Sequence, residues 1–127
     1  MPHLRLEYTD NLEIDTKPLF QKMHQQLADT GAINMKGMRS AAIRLDNYWL
    51  ADGYEGYRYI LVTLTIRGGR PLATRQEFAK RIMATLEEEF GRLRDDGYMH
   101  LSVDVREMDK EVALTHHNFP VDGVFGK

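Results

Sequence analysis

Polar and apolar residues alternate at the start of the chain. In HLRLEY, Leu4, Leu6 and Tyr8 fall on one side and His3, Arg5 and Glu7 on the other, the period of a strand with one wet face. The period lengthens in DTKPLFQKMHQQLADTG, where Leu19, Phe20, Met23 and Leu27 share one face of a helix. Asp15 or Thr16 can cap that helix, Pro18 sits where a proline at the first helical position is tolerated, and Gly31 supplies the stop. MRSAAIRLD, after Gly37, reads as a second strand. The order then repeats. RYILVTLTIRG is the strongest strand, with Ile60, Val62, Leu64 and Ile66 in alternation and Gly68 and Gly69 breaking it. In RPLATRQEFAKRIMATLEEEFGRLRDDG, Phe78, Ile82, Leu86 and Phe90 form a helical ladder that Met83 and Leu93 widen, and Thr74 with Glu77 has capping-box spacing. Glu87 to Glu89 form its wet face, and Asp95 and Asp96 read as turn residues before Gly97. YMHLSVDVREMD closes the repeat with Leu101, Val103 and Val105 alternating.

Two β-α-β units in sequence predict an α+β fold: a mixed four-stranded sheet, parallel within each unit, with two helices packed on one face. The chain reads as a single domain, 1–127, with a first unit over 2–46, a second over 58–108 and a C-terminal segment over 109–127. NYWLADGYEGY is the exposed connection between the units. The last segment has no sustained period but carries Phe119, Val121, Val124 and Phe125, which predicts docking on the same core or on a neighbouring subunit.

Composition narrows the chemistry. Cysteine is absent from the 127 residues, which excludes disulfides, thiolate metal sites and thiol catalysis and leaves amines, carboxylates, imidazoles and hydroxyls. Seventeen Lys and Arg against nineteen Asp and Glu, mixed along the chain, argue against nucleic acid and anionic membranes and for small molecules or other subunits as partners. No positively charged start leads into an apolar run and no apolar stretch reaches ~18 residues, so a cytoplasmic protein without a membrane span is expected. His3, His24, His100, His116 and His117 lack convergent ligand spacing, and no metal is expected.

Three residues are candidates for chemistry. Pro2 opens the first strand, where prolines also occur simply because the missing N–H costs no ladder bond. If Met1 is removed, however, the Pro2 nitrogen becomes a secondary amine that titrates near neutrality and can act as a base, with His3 shaping its surroundings. Arg39 in KGMRSAA and Arg70 in RGGRPLATRQ each stand beside glycine at a strand edge, where a planar guanidinium can meet a carboxylate. Both also read as ordinary surface arginines, and Arg44, Arg58, Arg67 and Arg75 compete for the role. RGGR leads from strand to helix but is too short, and lacks the GK[ST] ending, for a phosphate loop.

Taken together the chain resembles the tautomerase superfamily, and within it the 5-carboxymethyl-2-hydroxymuconate isomerases. The likeness runs through MPH, the DN at Asp10 and Asn11, LADTG, GMRS, LADG, LTIRGGRPLATRQ and HHNFP. It implies a homotrimer whose sheets surround a central axis and a cofactor-free isomerase of homoprotocatechuate degradation. In the mechanism it implies, the terminal proline amine takes the proton from the 2-hydroxyl of a conjugated dienol and returns one to C5, giving a 2-oxo-enedioate. By motif, Pro2 would be base and acid, Arg39 would contact a substrate carboxylate, and Arg70 would bind another or steady the dienolate. The region from Ala41 to Tyr48 and the GYEGY loop depart from the pattern. A tautomerase of another 2-hydroxydienoate or a phenylpyruvate-like enol, or a trimeric scaffold without turnover, stays open beside this.

Overall fold

Two strand-helix-strand units meet along the middle of one sheet. The computed structural model of the chain describes residues 2–91 and 97–120. Its elements are β1 (His3–Thr9), α1 (Thr16–Ala28), a 3-10 turn (Met35–Gly37), β2 (Arg39–Leu45), β3 (Tyr57–Arg67), α2 (Leu72–Phe90) and β4 (Tyr98–Met108). The strand order is β2-β1-β3-β4, with β1 parallel to β2, β3 parallel to β4, and β1 antiparallel to β3. This is the four-stranded mixed sheet that the alternating pattern predicts.

The buried face follows directly from that alternation. Leu4, Leu6 and Tyr8 of β1 and Ile60, Val62, Leu64 and Ile66 of β3 turn inward, and all four of the β3 residues are fully buried. Against them pack Leu19, Met23 and Leu27 of α1 and Phe78, Ile82, Leu86 and Phe90 of α2. Each side chain buried this fully contributes roughly 1.5–3 kcal/mol, so the two central strands and the ladder of α2 dominate the stability. Leu101, Val103 and Val105 of β4 stay only partly buried, because that strand is an edge. Leu93, Asp95, Asp96, Val121, Val124 and Phe125 lie outside the described residues.

Both helix starts differ from the reading of the caps. Asp15 stands at the N-cap of α1 in extended conformation, yet its side chain makes no cap hydrogen bond, and Pro18 lies deeper in the first turn. Prolines are tolerated there because those amides have no intrahelical partner. The capping box does not form: α2 starts at Leu72 with Pro71 as N-cap, so Thr74 falls inside the first turn. Glu77 instead accepts from Arg81 Nε at 2.8 Å, one turn later. The dihedral preference of Pro71 moved the start ahead of the side chains suited to cap it.

The connection between the units is tied to the end of β1. Asn11 Nδ2 donates to the carbonyls of Glu55 and Tyr57 at 3.2 and 2.8 Å, and the Tyr48 hydroxyl donates to Asp10 Oδ1 at 3.0 Å. Asp10 and Asn11 therefore clamp the loop that leads into β3.

His24 of α1 lies 2.6 Å, Nε2 to Oγ, from Ser40 of β2 and joins the helix to the edge strand. Burial lowers its pKa below the ordinary 6.5. The unfolded chain therefore takes up this proton first, so the stability held by neutral His24 is full above that value and is lost as pH falls through the folded one. Urea midpoints should accordingly drop further from pH 7 to pH 5 in the wild type than in His24→Gln; equal drops would remove His24 from the acid sensitivity.

Candidate active site

The first pair of the β1–β2 ladder builds the site. The Arg39 amide donates to the Pro2 carbonyl at 3.0 Å, and His3 pairs with Arg39 in register. Paired residues of a ladder leave the same side of the sheet. The next pair, Leu4 and Ser40, faces α1, where Ser40 meets His24, so His3 and Arg39 project from the uncovered face. Burial, helped by the positive charge of Arg39, lowers the His3 pKa, which keeps its imidazole neutral near pH 7.

The C-terminal strap completes the surroundings of Arg39. After β4 the chain turns at Asp109, whose carbonyl accepts from Val112 and Ala113 at 3.1 and 3.0 Å. It returns to lay Phe119 against Arg39, with Cζ 3.9 Å from the ring centroid, within cation–π range. His117 holds that ring: its Nδ1 accepts the Phe119 amide at 3.0 Å and the two rings meet edge on at 5.8 Å. Arg39 also gives one Nη1 proton to the Met38 carbonyl at 3.3 Å. Its guanidinium is thus oriented by a ring face, and the Met38 carbonyl is the one acceptor it meets among the described residues.

Arg70 occupies the same end of the sheet in a different state. It follows Gly69, whose φ of 115° suits a residue without a Cβ. Its Nη2 donates to the Ala32 carbonyl at 3.2 Å and its Nη1 to that of Arg67 at 3.4 Å, so it laces the β3–α2 turn to the loop after α1. Arg75 supports the turn by donating from Nε to the Arg70 carbonyl at 3.2 Å, and Glu107 accepts the Gly69 amide at 3.0 Å. Pro2 and Arg39 are joined directly; among the described residues no hydrogen bond joins Arg70 to either. Arg44 donates to the Asp10 carbonyl and Arg75 pairs with Glu107, so these two competing arginines are committed to structure.

Two hollows adjoin this end. One of about 570 Å³ lies on the uncovered sheet face between His3, Arg5, Thr63, Thr65 and Arg106. The other, about 240 Å³, lies between the strand ends and the strap, against Arg67, Met108, Thr115 and His117. The role of Phe119 was not assigned from sequence, although its apolar tail was expected to dock. Four apolar residues in an aperiodic terminus carried the signal for docking, and nothing local to them pointed to a cation.

A model of the 5-carboxymethyl-2-hydroxymuconate isomerase family matches residues 2–121. The 5-carboxymethyl-2-hydroxymuconate Delta-isomerase of Escherichia coli is 31% identical over 120 residues, covering 93% of this chain and 95% of its own. The crystal structure of a 5-carboxymethyl-2-hydroxymuconate isomerase from Deinococcus radiodurans R1 superposes with a TM-score of 0.86 at 30% identity, covering 93% of this chain and 90% of that one. A symmetric trimer of fused wild-type 4-OT shares the fold, with a TM-score of 0.69 at 14% identity over 89% of this chain and 90% of that one.

Proposed function

The chain belongs to the 5-carboxymethyl-2-hydroxymuconate isomerase family, and we propose that its reaction runs through the amine of Pro2, set free by removal of Met1. The enzyme isomerises 5-carboxymethyl-2-hydroxymuconate, moving a proton along a conjugated system. In our reading Pro2 takes the proton from the 2-hydroxyl, the electron pair shifts through the diene, and the same amine returns a proton to C5. The product is the 2-oxo-enedioate, and no atom is gained or lost.

The observation that carries this is the backbone bond from the Arg39 amide to the Pro2 carbonyl, which fixes a guanidinium beside the start of β1. An α-amino group titrates near ~7.7–8.0, and a neighbouring cation disfavours its protonated form, which suits a base at neutral pH. His3 adds no competing charge while neutral. Arg39 serves the substrate as well, since a trianionic dienol needs cations facing its carboxylates and the charge that develops at the 2-oxygen. We assign Arg70 to a further carboxylate or to that oxygen, supported by its place at the same sheet end. The uncovered sheet face, with Leu61 and Met108 beside the hollow next to His3, supports assembly into the homotrimer that the family resemblance implies. We take this enzyme to be cytoplasmic and to act without a cofactor.

The decisive experiment follows the ultraviolet progress curve of 5-carboxymethyl-2-hydroxymuconate with protein whose intact mass reports on Met1. Met-free protein should turn the substrate over, and Pro2→Ala should lower kcat by roughly 10²- to 10⁴-fold with unchanged circular dichroism. Turnover unaffected by Pro2→Ala would eliminate the amine.

Arg39→Ala and Arg70→Ala should each lower kcat/KM by roughly 10- to 100-fold, the loss typical of a charged hydrogen bond. A variant kinetically identical to the wild type would strip that arginine of its role. Phe119→Ala should raise KM a few-fold and leave kcat nearly unchanged, because it removes only the surface on which Arg39 rests; an unaltered KM would make the strap contact incidental.

A further inference from the structure

The smaller hollow at this end of the sheet, about 240 Å³, is lined by residues that the chemistry at Pro2, Arg39 and Arg70 does not use. Ala113, Thr115 and His117, alternate residues of the C-terminal strap, form one side, and Arg67 and Met108, paired at the ends of β3 and β4, form the other. Ile66 is fully buried against the helices, so Arg67, the next residue of β3, leaves from the uncovered face, as His3 and Arg39 do. The strap runs from the end of β4 to Arg39 on β2, the opposite edge of the sheet, and so passes the ends of β3 and β1. The hollow lies beneath that crossing.

The strand register brings it close to the terminal proline. β1 and β3 pair His3 with Thr65, and the same antiparallel register sets Ile66 opposite Pro2. Arg67 is therefore the residue next to the one that faces Pro2.

The lining is suited to an anion. No carboxylate lines the hollow among the described residues. Arg67 is permanently charged and exposed, and its guanidinium meets no acceptor among the described residues, whereas Arg44, Arg70, Arg75 and Arg81 each donate to one. On the facing wall His117 Nδ1 accepts the Phe119 amide, so the neutral imidazole carries its proton on Nε2. A carboxylate matches such a pair, since its two oxygens can take the guanidinium edge and still accept from an imidazole N–H.

The substrate carries three carboxylates. One stands on C1 beside the 2-hydroxyl, one is bonded directly to C5, and one hangs from C5 through a methylene. C5 receives the proton from Pro2, so both substituents of C5 lie beside the terminal amine. The directly bonded carboxylate stays with the conjugated plane, while the methylene lets the other turn out of it and reach past the strand ends. We propose that the hollow beneath the strap takes this carboxymethyl arm, its carboxylate held by the Arg67 guanidinium and the His117 Nε2–H, and so selects tricarboxylate over dicarboxylate dienols. The assignment rests on the reading of Pro2 as the residue that protonates C5. The strap then serves the site twice, with Phe119 orienting Arg39 and His117 meeting the arm.

The test compares 5-carboxymethyl-2-hydroxymuconate with 2-hydroxymuconate, which lacks the arm. Wild-type protein should favour the tricarboxylate in kcat/KM by at least ~10-fold. Arg67→Met should lower kcat/KM for the tricarboxylate by roughly 10- to 100-fold, chiefly through KM, and for 2-hydroxymuconate by no more than about twofold, with native circular dichroism. Arg67→Lys, which restores the charge without the planar fork, should recover part of the loss. Equal losses on the two substrates, a loss confined to kcat, or a folded Arg67→Met kinetically identical to the wild type would each overturn the proposal. A wild type that does not distinguish the two substrates would overturn it as well, even if the substitution at Arg67 unfolds the chain. The role of Pro2 is read separately: Pro2→Ala should slow both substrates alike. Full turnover by Pro2→Ala together with a selective loss in Arg67→Met would remove the amine and keep the arm in the hollow, and the reverse pair of results would keep the amine and remove the arm.

Discussion

The register of β1 on β2 is the constraint on which the site rests. Arg39 stands beside Pro2 because the amide of one donates to the carbonyl of the other at the first step of a parallel ladder. Side chains alternate along a strand, so a slip of one residue would turn Arg39 towards the helices and bring Met38 or Ser40 into its place. Such a slip is opposed by what lies behind the ladder. If β1 moved, Leu4, Leu6 and Tyr8 would leave the core, and if β2 moved, Ser40 would leave His24. Burial of three large side chains on β1, and the Ser40–His24 contact on β2, together fix the position of a cation at the opposite face.

The same coupling explains why β1 sits in the middle of the sheet rather than at an edge. It pairs with β2 through a parallel ladder and with β3 through an antiparallel one, so the first residues of the chain are held from both sides. An N-terminus with the role proposed here for Pro2 must not fray as chain ends ordinarily do. Placing it on a central strand over fully buried residues of β3 meets that need.

Periodicity made most of the fold legible. The alternation of β1 and β3 and the ladder of α2 are each determined by burial, and burial is what the pattern of apolar residues records. Asp15 does take the N-cap position of α1, though without a cap hydrogen bond; the capping box was misread because Thr74 and Glu77 have the right side chains, while the backbone around Pro71 decided where α2 would start. Pro2, Arg39 and Arg70 were named from the chain, but their relation was not legible in local pattern. Arg39 meets Phe119 across eighty positions of sequence, and that contact arises only when β4 turns back at Asp109. Arg58 was one competitor among several arginines, and only burial distinguishes it from the rest.

The arginines differ most in how far the protein has already satisfied them. A guanidinium offers five N–H donors. Arg70 gives one from each terminal nitrogen to the carbonyls of Arg67 and Ala32, which fixes its plane and leaves three donors without an acceptor among the described residues. Arg39 gives one to Met38 and rests its face on Phe119, a contact that orients the charge without consuming donors. Arg58 has a buried Nη1 with no acceptor among the described residues. An anion arriving at Arg70 meets a rigid, partly satisfied fork; at Arg39 it meets an oriented and largely free one. In the reading proposed here, the first two states suit a substrate that must bind, react and leave.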